Sequence, residues 1–265
     1  MKLLSIVIFL SGVTYSFAQE CKVYHKANSL TGELAIIAEN TSIQPYTIKI
    51  EANFKGMKTE QDFPLTKVVS AKHTDTLAWF IPEKGQSFSF GYNSTQVEGN
   101  ILARHDDKVI YELPYKKGTS YKIDQGYNGK STHQNKNALD FHMDEGTEIC
   151  AIRDGLVVET EDKFIKGCPD ESCAQFNNFV LVLHSDGSYA DYSHLKKAGA
   201  LVKVGDEVKA GQVIGLSGKT GIASGPHLHL EVYTMSWEGQ NSIPVKYKVN
   251  GKATLPEEGM SYLKD

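Results

Sequence analysis

Apolar and polar residues alternate in short runs along most of this chain, and Gly, Pro, Asn and Asp cut the runs off at short intervals. Between residues 20 and 115 the alternating segments are 33–38, 46–54, 76–81, 87–92 and 109–113, with breaks at Asn40, Pro45, Gly56, Pro82, Gly85, Asn93 and Gly99. A period of two places successive side chains on opposite faces of a strand, and no stretch carries a convincing helical period. Short strands at this spacing predict a small β-sandwich. From residue 146 onward the segments are 146–152, 155–160, 178–183, 188–195, 201–204, 212–216 and 227–233. Asp186-Gly187 supplies a hairpin turn between two of them. Two others, 204–208 and 211–215, read as a Gly-bounded hairpin. The expected fold class is all-β, with a β-sandwich-like accessory domain over 19–115, a linker at 115–120, and an antiparallel β-sheet domain over 116–265.

One strand carries more than fold. In His227-Leu228-His229-Leu230-Glu231-Val232 the alternation puts His227, His229 and Glu231 on one face and the aliphatic residues on the other. As a helix the two histidines would lie about 200° apart and could not converge. As a strand they are neighbours, and paired neutral imidazoles suit a divalent metal with an acid/base group beside it. An isolated H-x-H also occurs on ordinary solvent faces, so the remaining motifs decide its weight.

Composition narrows the classes of partner. With 28 Lys and Arg against 32 Asp and Glu the chain has a formal charge of −4. It shows no net basic character to suggest nucleic acid or an anionic membrane. Residues 1–18 open with Lys2, continue through a short apolar run and end in Ser16-Phe17-Ala18, the pattern of a secretory signal peptide. Its removal takes Lys2 away and moves the charge from −4 to −5. The mature chain then has no other apolar stretch of transmembrane length, and a periplasmic or extracellular monomer is expected. Export permits disulfides among Cys21, Cys150, Cys168 and Cys173, whose three possible pairings sequence does not rank. The 168–173 segment reads as a small loop closed by its own bridge, and Cys150 reads as a buried hydrophobe.

Four further pieces accompany the H-x-H strand. Ser131-Thr132-His133 precedes Ala138-Leu139-Asp140-Phe141; Tyr192-Ser193-His194-Leu195 ends a strand, with Tyr192 and His194 expected on one face; Val204-Gly205-Asp206-Glu207-Val208 leads to Gly211; and Gly218-Lys219-Thr220-Gly221 leads to Gly225-Pro226. In this order, over roughly residues 111–245, they resemble the lysostaphin-type zinc metalloendopeptidases, which cut the peptide part of bacterial peptidoglycan. The resemblance implies one Zn²⁺ held by His133, Asp140 and His229, with His194 and His227 as the catalytic pair. It also implies a zinc-activated water as nucleophile and a peptidoglycan peptide as substrate. Two imidazoles and a carboxylate fill three positions of a tetrahedral site and leave the fourth open, as hydrolysis requires.

One spacing departs from the family. The common spacing, four positions before Asp140, would land on Lys136, whose protonated amine is a poor ligand, whereas His133 stands seven positions before Asp140. A longer loop would bring His133 round. His142, on the same strand face as Asp140, is the rival, and the family's order favours His133. Glu231 has two readings, a supporting partner or acid beside His229, or an edge carboxylate without special contacts. His184 reads as structural, and His25, His73 and His105 as isolated. Two other functions compete: a non-catalytic relative acting as a binding or activator module for another wall hydrolase, and a biotinyl or lipoyl carrier. The carrier lacks its Met-Lys-Met turn here, and the activator class typically loses ligands.

Overall fold

The alternating runs of the first half become two sheets around one core. The computed structural model of the protein describes residues 20–265, so the export signal read in residues 1–18 lies outside the described residues. Cys21–Ala27, Leu34–Asn40, His73–Pro82 and Met57–Lys58 form a four-stranded sheet, in that order. Leu65–Val69, Tyr46–Lys55 and Ser89–Glu98 form a three-stranded one. Their inner faces bury Ile36, Ile48, Ile50, Val69, Leu77 and Phe80 against one another, each such side chain contributing roughly 1.5–3 kcal/mol of hydrophobic stabilisation. Cys21–Ala27, Met57–Lys58 and Leu65–Val69 have no counterpart in the alternation pattern. All three are edge strands, and an edge strand with only part of one face covered shows little apolar periodicity.

The second half is organised by a nine-stranded antiparallel sheet. Its order is Glu207–Val208, Gly155–Glu161, Phe179–Leu183, Tyr189–Ser193, His227–Ser236, Ala138–His142, Ser120–Gln125 and Ser261–Leu263, with Gly239–Ser242 also pairing His227–Ser236. One face of the His227–Ser236 strand, through Leu228, Leu230 and Val232, enters the larger core with Ile123, Leu139, Phe141, Val180, Val182 and Tyr192. On the opposite face His227, His229 and Glu231 come first, and Tyr233 and Met235 follow. Tyr233 stacks on Tyr189 and packs with Leu181, Val158 and Met235 against Ile43 from the first half. The Tyr189 hydroxyl donates to Gln44 Oε1 at 2.9 Å. The first half therefore covers the far end of the same sheet face whose near end carries the histidines.

Several expectations are corrected by packing. Tyr115, expected to begin the linker, is fully buried in the larger core with Tyr111 and Leu113, and its hydroxyl donates to the Tyr262 carbonyl at 2.6 Å. Residues 204–208 and 211–215 do not form a hairpin. Glu207–Val208 joins the edge of the large sheet beside Gly155–Glu161, while Val213–Ser217 lies between Glu148–Cys150 and Leu195–Ala200 in a separate sheet. Cys168 and Cys173 are bridged, and Cys150 and Cys21 are free and buried.

Candidate metal centre

Strand register builds the site. Asp140 is the cross-strand partner of His229, and Ser193 is the partner of His229 on its other side. Directly opposed residues project from the same face with Cβ atoms about 5 Å apart, so the Asp140 carboxylate and the His229 imidazole meet without any loop. They do so at 2.9 Å between Oδ1 and Nδ1.

His133 arrives from outside the sheet. The loop 126–137 folds on itself through Asn128 N–H to Lys136 O at 2.9 Å and Lys136 N–H to His133 O at 3.0 Å. This compact turn absorbs the extra residues between His133 and Asp140 and returns a fully buried imidazole to the sheet face. His133 Nε2 lies 3.2 Å from Asp140 Oδ1 and 3.3 Å from His229 Nδ1. Lys136 instead reaches Glu231, Nζ to Oε2 at 3.2 Å. His142 turns away to Asp124, with Nδ1 2.6 Å from Oδ2, and takes no part in the cluster.

The donor set of His133, Asp140 and His229 fits zinc. A tetrahedral ion with bonds of about 2.0–2.1 Å has ligand–ligand edges of about 3.3 Å, and the three donor atoms here stand 2.9, 3.2 and 3.3 Å apart. Each of the three side chains is also held from behind, as is common where a metal binds. His133 Nδ1 faces the Gly126 carbonyl at 3.1 Å; a carbonyl only accepts, so the proton sits on Nδ1 and the Nε2 lone pair faces the cluster. His229 Nε2 points at Glu231 Oε2 at 3.8 Å. Asp140 Oδ2 accepts from Gln125 Nε2 at 2.9 Å.

Charge is distributed to match. Burial opposes ionisation of Asp140, but the adjacent His133 and His229 imidazoles outweigh it and hold the carboxyl well below the usual range. Burial likewise opposes a charged His229, yet Asp140 and Glu231 push its pKa up to about 9. Glu231 is buried and stays an anion: desolvation is overcome by His229 and Lys136. Of its two readings, the edge carboxylate without contacts is therefore excluded.

Two further imidazoles face the cluster. His194 lies 4.6 Å from His227 and 5.6 Å from His229, centroid to centroid. It does not share a face with Tyr192, as simple alternation predicts. The strand ends at Ser193, and His194 adopts φ +66°, which breaks the alternation and swings its ring towards the histidines. Tyr192 is core, its hydroxyl accepting from Ile152 N–H. His194 is fixed by Asn177 Oδ1 on its backbone N–H and by the Thr220 carbonyl on Nδ1, at 3.1 and 2.7 Å. Burial and the neighbouring His229 and His227 push its pKa down to about 3, so the ring is neutral. His227 Nδ1 faces the Gly225 carbonyl at 2.9 Å. Both rings thus keep the proton on Nδ1 and present Nε2 to the cleft.

The cluster lies along a cleft of about 1000 Å³. One wall is the bridged loop with Pro169, Glu171 and Ala174; the other includes Gln125, Lys130 and Thr132. Gln125, Asn177 and Thr220 escaped sequence reasoning because their residue types carry no chemical signature; only the fold brings them to the site. His184 is structural: buried, with Nδ1 on the Asp154 carbonyl at 2.8 Å.

Comparison with known proteins agrees with this geometry. Residues 134–244 match the model of peptidase family M23, a span that contains Asp140, His194, His227 and His229 and opens one residue after His133. The chain is 31% identical over 165 residues to an uncharacterized metalloprotease of Buchnera aphidicola, covering 56% of this chain and 39% of that protein. It is 38% identical over 130 residues to the glycyl-glycine endopeptidase ALE-1 of Staphylococcus capitis, covering 48% and 32%. It is 34% identical over 125 residues to the peptidoglycan DD-endopeptidase ShyA of Vibrio cholerae, covering 47% and 26%. The chain thus spans well under half the length of these curated relatives. The motif order, the all-β sheet that carries it and these matches together support a lysostaphin-type peptidase family M23 region over residues 134–244.

Proposed function

We propose that this protein is a zinc endopeptidase hydrolysing peptide bonds in bacterial peptidoglycan, with His133, Asp140 and His229 as metal ligands and His194 and His227 as the catalytic pair. The observation that carries the reading is the approach of three donors to within 3.3 Å of one another beside two imidazoles whose Nε2 atoms face the same cleft. The relatives named above as glycyl-glycine and DD-endopeptidases support the substrate class. A bound zinc would supply Lewis acidity, activating a water and polarising the scissile carbonyl.

The chain's own groups do the rest. In hydrolysis the amide C–N bond breaks, a water oxygen bonds to the carbonyl carbon, and the departing nitrogen gains a proton. A neutral Nε2 of His194 or His227 takes a proton from water; the ring protonated in this way then returns that proton to the departing amine, hydrogen-bonding the developing oxyanion on the way. The carbonyls of Thr220 and Gly225 keep both rings in the tautomer that allows this. Glu231, screened by Lys136, orients His229.

The same reading covers organisation and location. The chain has two domains whose junction falls between Gly99, which closes the first half's hydrogen bonding through Pro45 and Thr47, and buried Tyr111. It is exported, a reading supported by residues 1–18 and by the Cys168–Cys173 bridge. Among the described residues no helix is long and apolar enough to cross a membrane. The test is digestion of purified sacculi and defined cross-linked muropeptides, with products read by mass spectrometry. New amino termini within the peptide, lost in Asp140→Ala, are expected. Intact muropeptides with zinc-loaded wild type would overturn the activity.

A further inference from the structure

Gln125 is the last residue of its strand and the cross-strand partner of Asp140, at a point where the ladder bulges between Asp140 and Phe141. Its amide makes four contacts in two directions. Oε1 accepts the backbone N–H groups of Ser131 and Thr132, both at 3.0 Å. Nε2 donates to Thr132 Oγ1 at 2.7 Å and to Asp140 Oδ2 at 2.9 Å. The amide has one sensible orientation, since turning it over would set an NH₂ against two N–H donors and an oxygen against a carboxylate. Gly126, the next residue, supplies the carbonyl that fixes His133.

We propose that Gln125 is the positioning residue that joins the two early ligands. It sets the carboxylate plane of Asp140 and, through Ser131 and Thr132, anchors the turn that presents His133. The inference rests on the metal-site reading above and deepens it. The sheet alone aligns Asp140 with His229, because they are register partners. Nothing in the sheet places His133, which comes from a loop lengthened relative to the family's common spacing. Gln125 couples that loop to the ligand strand. Gly129 is part of the same device: a methyl group there would collide with Gln125 Cγ and sit 3.1 Å from Cδ, so the glycine leaves room for the glutamine stem. Gly129→Ala therefore presses on Gln125 and, at 3.0 Å, on the Gly126 carbonyl that fixes His133, the two arms of the same turn.

The experiment measures zinc affinity by competition with a chromogenic chelator, together with the visible spectrum of the Co²⁺-substituted protein and the melting temperature of the chelator-stripped protein. Gln125→Met keeps the length and removes all four bonds. Gln125→Glu keeps the acceptor for Ser131 and Thr132 but cannot donate to Asp140. Supporting partners of metal ligands typically matter by 10- to 100-fold in affinity. Weakening of that order is expected in Gln125→Met and Gly129→Ala, with a changed Co²⁺ spectrum and the stripped protein melting as wild type does. Gln125→Glu is expected to be at least as weak as Gln125→Met. Affinity within twofold of wild type in Gln125→Met and Gly129→Ala overturns the inference while leaving the metal site standing. Near-normal affinity in Gln125→Glu overturns the Asp140 arm of it. Wild-type protein that binds no zinc removes the metal-site reading itself.

Discussion

Replacing His227 by alanine should separate turnover from metal binding. His227 Nε2 lies 3.9 Å from Asp140 Oδ1, beyond a hydrogen bond, so the imidazole is not needed to hold the His133–Asp140–His229 cluster together. Its side chain is 17% exposed and its Nδ1 contact is the Gly225 carbonyl at the cleft edge. Losing that bond costs about 1 kcal/mol, too little to unfold a domain with this core. Positioned acid/base groups contribute about 10²- to 10⁴-fold, or roughly 3–5.5 kcal/mol in the barrier. His194 remains, 4.6 Å from the lost ring, and can keep part of the proton transfer. A kcat reduced by about 10²- to 10³-fold is therefore expected, with zinc content at the wild-type level. The assay is release of new amino groups from a soluble cross-linked muropeptide beside elemental analysis of the same sample. Zinc lost in proportion to activity would refute the division of roles, and so would a kcat within threefold of wild type.

Two more outcomes follow from groups away from the reacting centre. Burial pushes the pKa of His184 down to about 4 from 6.5, with the Asp154 carbonyl opposing and Arg153 assisting. The unfolded chain thus takes up its proton near 6.5 and the folded one only near 4, so stability is full above 6.5 and is lost as pH falls towards 4. At pH 4.5 the loss is about 2–3 kcal/mol, and urea titrations of wild type and His184→Asn at pH 7 and 4.5 should differ in pH dependence by that order; identical dependence would refute it. The Cys168–Cys173 bridge closes a short loop, worth roughly 2 kcal/mol, whose Pro169, Glu171 and Ala174 wall the cleft. The double serine variant should raise KM for cross-linked substrate while zinc content stays constant, and an unchanged KM would show that the loop does not touch substrate.

Alternation was a sound guide wherever a residue sits in an unbroken strand with one face buried. His227, His229 and Glu231 share a face in sequence and in structure because the strand runs unbroken from 227 to 236. It misled at His194, where a left-handed backbone reverses the direction that counting by twos assigns. The site's supporting groups were beyond its reach for another reason. Gln125 matters through the partner that strand register assigns it, Thr220 through a main-chain oxygen, and Asn177 through a loop contact, none of which depends on a periodic pattern. Tyr111 reads as part of the sandwich's last segment, 109–113, and Tyr115 as the start of the linker, yet the large core draws both in. His133 was legible from motif order alone; the turn that delivers it depends on main-chain hydrogen bonds that no residue type announces.

The central claim is that one acidic and two imidazole side chains grip a single zinc ion. Elemental analysis of the purified, exhaustively dialysed protein tests it most directly, run on wild type and on Asp140→Ala in parallel. The account predicts one zinc per wild-type chain and none retained by the folded variant. A folded wild-type protein without zinc, or a variant that keeps its full complement, would contradict it.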